Sequence, residues 1–206
     1  MATLDRQPFV IGATATELRE PAEAFRERFA TCRSIVCRNA IEPSFLGTLR
    51  SLCSRSAFVP DSVPKLGTRE VERPQRAGGA ITLVLQRSAL LRWLEDASGC
   101  GPLGAVEGRV VQARPNARDQ LDWHDDLHDP ARRLAVTIDL TEAPYQGGLF
   151  ELRDAGSRAL LTTHRHVEPG TMLVFDVAPG LEHRVLPVTS GGPRRVYTGW
   201  FFKAER

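Results

Sequence analysis

The stretch Trp123-His124-Asp125-Asp126 holds an imidazole and a carboxylate two residues apart. On a β-strand, residues at that spacing point to the same face, so His124 and Asp126 can occupy adjacent positions on a metal ion, whereas Asp125 would point away. A third ligand from a distant strand would complete a triad of two histidines and one carboxylate. Such a triad covers one face of the metal and leaves the other positions open, as in mononuclear iron sites. The spacing therefore predicts a strand and a metal site in this part of the chain.

A competing ligand pair lies in the same segment, because His128 follows His124 at helical spacing. A helix through both histidines would have to continue into Asp129-Pro130, and the residue before a proline is biased away from helical backbone. We therefore predict that Asp126, rather than His128, is the partner of His124.

His183 is the preferred third ligand, because Arg194 follows it at the start of a segment with strand-like alternation. His164 and His166 are the competing candidates, since two histidines at that spacing could share a strand face and bind a metal. The favoured interpretation of that pair is a solvated hairpin just before Glu168-Pro169-Gly170. The predicted third ligand is therefore His183.

Further motifs accompany the H-x-D pair in the second half of the chain, among them a Gly-Gly turn that enters a strand. They are Tyr145-Gln146-Gly147-Gly148 with Leu149 to Leu152 after it, His183-Arg184-Val185-Leu186-Pro187-Val188, Gly191, Arg194 and Trp200. H-x-D alone is weak evidence, but this order of a later histidine, arginine and tryptophan is much more specific. From Val110 to Phe202 the chain resembles the 2-oxoglutarate- and Fe(II)-dependent oxygenases, most closely their prolyl-4-hydroxylase-like branch.

The resemblance implies an enzyme that holds Fe(II) with His124, Asp126 and His183 and uses 2-oxoglutarate as co-substrate and O2 as oxidant. Ascorbate is left open as a further cofactor. The implied reaction is oxidative decarboxylation of 2-oxoglutarate to succinate and CO2, coupled to hydroxylation of an unactivated C–H bond. Related halogenases replace the carboxylate ligand with a small residue, so the presence of Asp126 disfavours halogenation.

The resemblance also implies how the co-substrate is anchored. The family pattern places an arginine six residues before the tryptophan, which selects Arg194 over Arg195, and a planar guanidinium can hold the distal carboxylate of 2-oxoglutarate in bidentate fashion. Thr198 shares the strand face of Arg194 and is the candidate for a second hydrogen bond, the alternative being a half-buried strand threonine. Trp200 is interpreted as core packing.

The predicted substrate is a small molecule, an amino acid or a peptide-bound residue. The alternative is a protein prolyl or residue hydroxylase. A nucleic-acid dealkylase is disfavoured, because that family places a second arginine where this chain has Trp200. An alternative from a different functional class is a non-catalytic jelly-roll binding module. The absence of a metal-ligating residue would favour it, but the sequence has all three.

Composition sets the broad class of the protein. The 206 residues, with 42% hydrophobic and 25% charged side chains, suit one soluble globular domain. A formal net charge of +2 with scattered arginines gives no argument for a nucleic-acid partner. Without a signal peptide or an apolar run of membrane-spanning length, we expect a cytoplasmic protein with no membrane partner. The four cysteines lack zinc-site spacing and are expected to be free thiols, and the oligomeric state is left open.

The order of predicted elements indicates the fold. Helices come first, and about eight short strands follow from Arg109 onward, which is typical of a mainly β protein with N-terminal helices and a double-stranded β-helix, or jelly roll, as its core. We expect a single domain over residues 1–206, with a mostly helical buttress, a lid loop and edge strands in 1–105 and the jelly-roll catalytic core in 106–206. The predicted helices are Glu17 to Phe29, Glu42 to Ser54 and Ala89 to Ser98.

The least regular stretch runs from Phe58 to Gly79 and is rich in proline and glycine. A loop of that length in a compact domain is commonly functional, so we predict a mobile lid over the site, followed by a strand at Ala80 to Gln86. Its charges suggest a substrate with a carboxylate or phosphate, and the alternative is a solvated loop whose charges face water. Arg114, where many relatives carry a tyrosine ten residues before the first histidine, is either a surface arginine or an extra cation near the pocket.

Overall fold

The structure of the protein is a computed structural model that describes residues 7–115 and 119–205. In this part of the chain the helices all precede residue 100, and strands dominate the remainder. The helices are α1 (Glu23–Cys32), α2 (Pro43–Ser54), α3 (Arg76–Leu85) and α4 (Ser88–Ser98). The strands are β1 (Phe9–Ile11), β2 (Thr16–Leu18), β3 (Ser34–Cys37), β4 (Ala57–Val63), β5 (Gly67–Arg73), β6 (Leu103–Ala113), β7 (Leu121–His124), β8 (Arg132–Asp139), β9 (Tyr145–Gly147), β10 (Phe150–Asp154), β11 (Leu160–His164), β12 (Met172–Asp176), β13 (Leu181–Val185), β14 (Val188–Gly191) and β15 (Arg194–Lys203).

Two antiparallel sheets form the core of the fold. The large sheet has the strand order β3-β12-β8-β15-β6-β5-β4, and the small sheet has the order β11-β10-β13-β7. From β6 onward the chain passes repeatedly between them: β6, β8, β12 and β15 lie in the large sheet, and β7, β10, β11 and β13 in the small one. This alternation confirms the predicted double-stranded β-helix with N-terminal helices.

The helices pack against one face of the large sheet, and the small sheet packs against the other face. Along β8, Leu134, Val136 and Ile138 belong to the apolar cluster shared with the helices, whereas Ala135 belongs to the cluster between the sheets. This division follows from the period-two alternation of a strand. The next residue on the inner face is Thr137, which lines a cavity instead of packing in the core. The inner face of the large sheet is therefore where polar side chains can meet a ligand.

The N-terminal segment differs from its prediction. The structure starts α1 at Glu23, not at Glu17, and residues 16–18 form β2, which pairs with β1. Leu18, which lies within the predicted helix, is on β2 and is 46% exposed. The reason lies in Pro21, because a proline pushes the residue before it toward extended backbone. Before β2 the chain forms β1, and residues 1–6 lie outside the described part of the chain.

The prediction of a loop from Phe58 to Gly79 is wrong. Residues 57–73 form the hairpin β4–β5 with continuous pairing from Ala57↔Arg73 to Val63↔Gly67. Pro60 is tolerated because β4 is the edge strand of the sheet, where a missing N–H costs no ladder hydrogen bond. The prolines of this stretch thus mark an edge strand and a turn rather than a long loop.

The prediction of a strand at Ala80 to Gln86 is also wrong, because these residues belong to α3 or follow its end. The side chain of Glu72, on the preceding strand, accepts hydrogen bonds from the amides of Ala77 and Gly78, both at 2.9 Å, and so caps the helix from outside its own sequence. A Cβ at Gly78 would lie 3.3 Å from the amide nitrogen of Val110. The glycine that argued against a helix therefore allows α3 to pack closely on β6.

The remaining helices are confirmed, since α2 and α4 match their predicted bounds to within a residue. In α4, Trp93 packs edge-on against Phe9 and Phe25 with ring centroids 5.0 and 5.1 Å away. Burial of large apolar side chains of this kind stabilises a fold by about 1.5–3 kcal/mol each. Among the described helices, none is long and apolar enough to cross a membrane.

Candidate metal centre and its binding cavity

His124, Asp126 and His183 meet at one edge of the small sheet. Strands β7 and β13 pair with His124 directly opposite His183, and the two imidazole rings are 4.1 Å apart between centroids. Asp126 lies in the turn just after β7, with its Oδ2 3.6 Å from Nε2 of His183. One ligand atom from each residue lies within 4.8 Å of the other two. The structure thus brings together the three predicted ligands, although Asp126 is placed by a turn and not by strand pleating.

Two side chains that the sequence did not single out as functional hold Asp126 in place. Nε1 of Trp200 donates a hydrogen bond of 2.8 Å to Oδ2 of Asp126. Nη1 of Arg132 lies 3.5 Å from Oδ1 and 3.3 Å from the backbone oxygen of Asp126. The guanidinium of Arg132 stacks on the ring of Trp200 at 3.7 Å. The interpretation of Trp200 as core packing is therefore incomplete, because its indole also orients the carboxylate.

The neutral form of His183 and the hydrogen bond of His124 both suit metal binding. The pKa of His183 is lowered to about 3, mainly by burial and also by the neighbouring His124, while Asp126 opposes the shift. The imidazole of His183 is therefore neutral at physiological pH. Nδ1 of His124 lies 2.6 Å from the backbone oxygen of Asp122, so this nitrogen donates and leaves Nε2 free as the ligand atom.

The triad opens into a cavity of about 270 Å³ between the two sheets. Phe150 and Phe175 form part of its apolar wall, and their rings lie 5.9 and 4.8 Å from the ring of His183. The hairpin β4–β5 contributes another part of the wall through Val63 and Leu66. The region predicted as a lid therefore borders the site, as an ordered hairpin instead of a loop.

A smaller cavity of about 60 Å³ adjoins the first and is lined by Arg194. Thr137 and Thr198 line both cavities, so the space beside the triad continues toward Arg194. Arg194 is only 6% exposed, and its buried Nε has no hydrogen-bond partner among the described residues. An unsatisfied guanidinium N–H is costly in a buried site unless a ligand completes it. The end of this cavity is therefore suited to a carboxylate.

Two acidic or phenolic groups respond to the charge of Arg194. Burial raises the pKa of Asp139, an effect that its hydrogen bonds to Thr141 and the positive charge of Arg194 oppose. Burial likewise raises the pKa of Tyr145, and Arg194 lowers it. Neither group forms an ion pair with Arg194 within the residues that the structure describes. The guanidinium thus lies among polar groups without being neutralised by them.

Arg195 points to the opposite side of β15. Its guanidinium bonds to Oε1 of Gln112 and, at 3.0 Å, to Oε1 of Glu142, and it stacks on Phe58. Arg194 and Thr198 face the cavities, as the alternation of the strand predicts. Arg195 is therefore already satisfied by protein groups and does not reach the site.

The competing histidines lie apart from the triad. Nε2 of His164 is 3.3 Å from Nδ1 of His166, and Nε2 of His166 is 2.9 Å from the hydroxyl of Thr137. Burial lowers the pKa of His164 to about 4 and that of His166 well below its usual value. The interpretation of this pair as a solvated hairpin is wrong, because His166 is 2% exposed and hydrogen-bonded inside the barrel.

Arg114 lies outside the cavity. Its Nε is 3.1 Å from Oε2 of Glu70, and its side chain is 56% exposed. Of the two interpretations of this departure from the family pattern, the surface arginine agrees with the structure.

Comparisons with known proteins agree with this geometry. The family model described as the 2OG-Fe(II) oxygenase superfamily matches residues 110–202. No curated protein matches the sequence. Similar solved structures include a prolyl-4-hydroxylase from Pseudomonas putida, with a TM-score of 0.67 and 18% identity over 89% of this chain and 100% of the other.

Two further structures share the fold at a TM-score of 0.67 and 15% identity. One is an oxidoreductase of the 2OG-Fe(II) oxygenase family from Burkholderia pseudomallei, over 90% of this chain and 93% of the other. The other is a prolyl hydroxylase from Trichoplax adhaerens, in complex with a peptide fragment of the hypoxia inducible factor oxygen degradation domain, over 88% of this chain and 89% of the other. The match to the 2OG-Fe(II) oxygenase superfamily, which runs from within β6 to β15, covers the part of the chain in which two imidazoles and a carboxylate gather at one point of the fold.

Proposed function

We propose that the protein binds Fe(II) through His124, Asp126 and His183 and 2-oxoglutarate through Arg194, and that it hydroxylates an unactivated C–H bond of its substrate. The substrate is a small molecule, an amino acid or a peptide-bound residue, and the co-products are succinate and CO2. The observation that carries this proposal is the gathering of three ligand atoms within 4.8 Å of one another beside a cavity that continues to Arg194.

The residues present fit both groups that the family implies. Two imidazoles and one carboxylate form the donor set typical of non-haem Fe(II), with open positions left for other ligands. The unsatisfied Nε of Arg194 offers a buried, charge-assisted site for the distal carboxylate of 2-oxoglutarate. Thr198 lines both cavities and is the proposed second hydrogen-bond donor to that carboxylate.

Bound Fe(II) and 2-oxoglutarate would supply the activation of O2, and the protein supplies geometry. Trp200 and Arg132 hold the carboxylate of Asp126 in one orientation. Burial keeps His183 neutral and therefore able to bind the metal. The rings of Phe150 and Phe175 exclude water from the side of the triad on which they pack, which protects a reactive site from side reactions.

A peptide-bound prolyl residue is the second candidate substrate, and it is supported by the fold neighbours whose names identify them as prolyl hydroxylases. At identities of 15–18% these neighbours share only the fold with this chain. The first candidate substrate therefore remains the wider class of small molecules, amino acids and peptide-bound residues.

The proposal also includes a single domain over residues 1–206, because hairpin β4–β5 from the first half and the strands of the second half line one cavity. A non-catalytic binding module is disfavoured, since the triad is complete.

The test is succinate formation from 2-oxoglutarate by the purified protein with Fe(II) and O2, measured alone and with panels of metabolites and peptides. His124→Ala, Asp126→Ala and His183→Ala should each abolish Fe(II)-dependent turnover, while His128→Ala should keep it. Succinate formation that is equal in wild type and Asp126→Ala would refute the proposal. If His183→Ala stayed active and His166→Ala did not, the third ligand would be wrong.

A further inference from the structure

Three guanidiniums line the cavity beside the triad, those of Arg69, Arg109 and Arg132. Two of them have carboxylate partners. Nε of Arg69 lies 3.0 Å from Oδ2 of Asp61, and Nη1 of Arg132 lies 3.5 Å from Oδ1 of Asp126. For Arg109, no ion pair or side-chain hydrogen bond occurs within residues 7–115 and 119–205. One positive charge of the cavity is therefore left for a ligand.

The position of Arg109 separates it from the proposed anchor of 2-oxoglutarate. Arg109 pairs with Thr198 across β6 and β15, and directly opposed residues of antiparallel strands point to the same face. Arg194 lies four residues before Thr198 on β15, a distance of about 13 Å along the strand. The cavities make the same division, because Arg194 lines the smaller cavity and not the larger one, whereas Arg109 lines the larger cavity with the triad and not the smaller one.

The surroundings of Arg109 favour an anionic ligand. Partial burial lowers its pKa, the neighbouring Arg69 lowers it further, and Asp61 opposes the shift. A guanidinium that is already partly desolvated and has cations beside it gains most from an incoming anion, because less water has to be displaced. The acidic residues that line the cavity do not compete, since Asp126 is held by Trp200 and Arg132, and Asp125 accepts the amide hydrogen bond of Leu127.

The backbone of Arg109 is packed on both sides within the large sheet and against a helix. It lies in the middle of β6, between β15 and β5, and α3 packs against the same strand so closely that a Cβ at Gly78 would lie 3.4 Å from Cα of Arg109. A charge held on a central strand is positioned more precisely than one on a loop. Arg109 can therefore select a substrate by where its charged group lies relative to the triad.

We propose that Arg109 binds an anionic group of the substrate, a carboxylate or a phosphate, and thereby selects acidic small molecules or acidic chain termini over neutral ones. This inference rests on the proposed function, because it names the substrate class of the same cavity. It separates the role of Arg109 from that of Arg194, which serves the co-substrate.

The experiment uses benzoate and benzamide as a probe pair with nearly the same shape and different charge. The protein is loaded with Fe(II) and saturating 2-oxoglutarate under anaerobic conditions, so that Arg194 is already occupied, and binding of each probe is measured by calorimetry. We expect wild type to bind benzoate at least about tenfold more tightly than benzamide, the scale of one charge-assisted hydrogen bond. Phenyl phosphate in a third titration distinguishes phosphate from carboxylate preference.

Variants assign that preference to one residue. Arg109→Gln should bind benzoate no better than benzamide, whereas Arg109→Lys should keep a weakened preference for benzoate. Arg114→Gln, which removes an exposed arginine just beyond the end of the same strand, is the matched control and should behave as wild type. Equal binding of benzoate and benzamide by wild type, failure of both to bind, or an unchanged preference in Arg109→Gln would each overturn the inference.

A turnover measurement distinguishes failure of the proposed role of Arg109 from failure of the proposed oxygenase function. If wild type forms succinate with Fe(II) and 2-oxoglutarate but shows no preference for benzoate, the oxygenase assignment stands and the role of Arg109 is wrong. If no Fe(II)-dependent succinate forms with any substrate, the proposed function is wrong whatever the probes show.

Discussion

Arg194 tests the co-substrate site at the scale of one residue. Arg194→Ala should weaken 2-oxoglutarate binding by about 2–5 kcal/mol, the usual effect of truncating one partner of a buried charge pair. Without ligand, the variant should lose little stability, because the substitution removes a guanidinium whose buried Nε has no partner. The measurements are the dissociation constant for 2-oxoglutarate and the free energy of unfolding without ligand.

Arg195→Ala is the control for that experiment, since Arg195 lies on the next position of the same strand and bonds to Gln112 and Glu142 instead. It should leave the dissociation constant for 2-oxoglutarate unchanged. A larger loss of binding in Arg195→Ala than in Arg194→Ala would mean that the co-substrate is anchored on the other face of β15.

Trp200 tests how the metal ligand is oriented. Trp200→Phe removes the Nε1–H that donates to Asp126 but keeps an aromatic ring for Arg132 to stack on. Loss of such a supporting hydrogen bond typically lowers metal affinity by about 10–100-fold. Titration of the protein with Fe(II) under anaerobic conditions measures the change, and an affinity equal to wild type would leave Trp200 with a packing role only.

The ligands were predictable from the sequence, and the groups that orient them were not. His183 could be chosen over His164 and His166 because its spacing from Arg194 can be counted in the sequence itself. The hydrogen bond from Trp200 to Asp126 joins β15 to the turn after β7, and no spacing in the sequence indicates which inward-facing side chain of one strand meets a turn of another.

At the scale of an element, we predict that the hairpin β4–β5 helps to hold substrate in the cavity. Its tip lies against the metal motif, because the backbone oxygen of Leu66 accepts a hydrogen bond of 3.0 Å from the amide of Asp122. A shortened variant replaces residues 62–68 by Asn-Gly, a pair suited to a two-residue turn between Asp61 and Arg69, which face each other in the hairpin. It removes Val63 and Leu66 from the cavity wall and keeps the ion pair of Asp61 and Arg69.

In this variant, substrate hydroxylation should fall, because the cavity loses part of the wall that keeps substrate in place and water out. Conversion of 2-oxoglutarate without substrate should persist or rise. Hydroxylated product is measured in reactions with substrate, and succinate in parallel reactions without it. If both stay at wild-type values, the hairpin is only a connection between α2 and α3.

This element is also where the sequence misled. Its prolines and glycines favour a loop in the sequence, yet Pro60 lies on an edge strand and Gly78 lies inside a helix whose cap is the side chain of Glu72 on β5. Local patterns carry no information about an edge position or about a cap supplied from another element. The jelly-roll strands were easier, because their alternation is itself the consequence of facing helices on one side and the small sheet on the other.

At the scale of the whole molecule, the buried histidines predict how stability depends on pH. The pKa of His164 is lowered from 6.5 to about 4, mainly by burial, and burial also lowers that of His166 well below 6.5. The unfolded chain therefore takes up protons at these positions below about pH 6.5 while the folded protein does not, so stability falls as the pH drops from 6.5 toward 4. Urea unfolding of the metal-free protein at pH 7.5 and pH 5 measures the loss.

His164→Gln removes one of the two titrating groups and should flatten this dependence, while stability at pH 7.5 changes less. Because His183 also has a lowered pKa, a residual decline should remain in the variant. A free energy of unfolding that is constant between pH 7.5 and pH 5 in wild type would contradict the burial of these imidazoles in the neutral form.

Part of the wall of the metal cavity comes from residues 57–73, which lie far along the chain from the strands that supply the ligands but next to them in space. The stretch that shapes what reaches the metal can thus mutate, or be exchanged between relatives, without change in the stretch that holds it. Such an arrangement lets one catalytic centre diversify in selectivity during evolution. A library randomised at Val63 and Leu66 should accordingly yield variants that accept different molecules while their Fe(II) affinity stays constant.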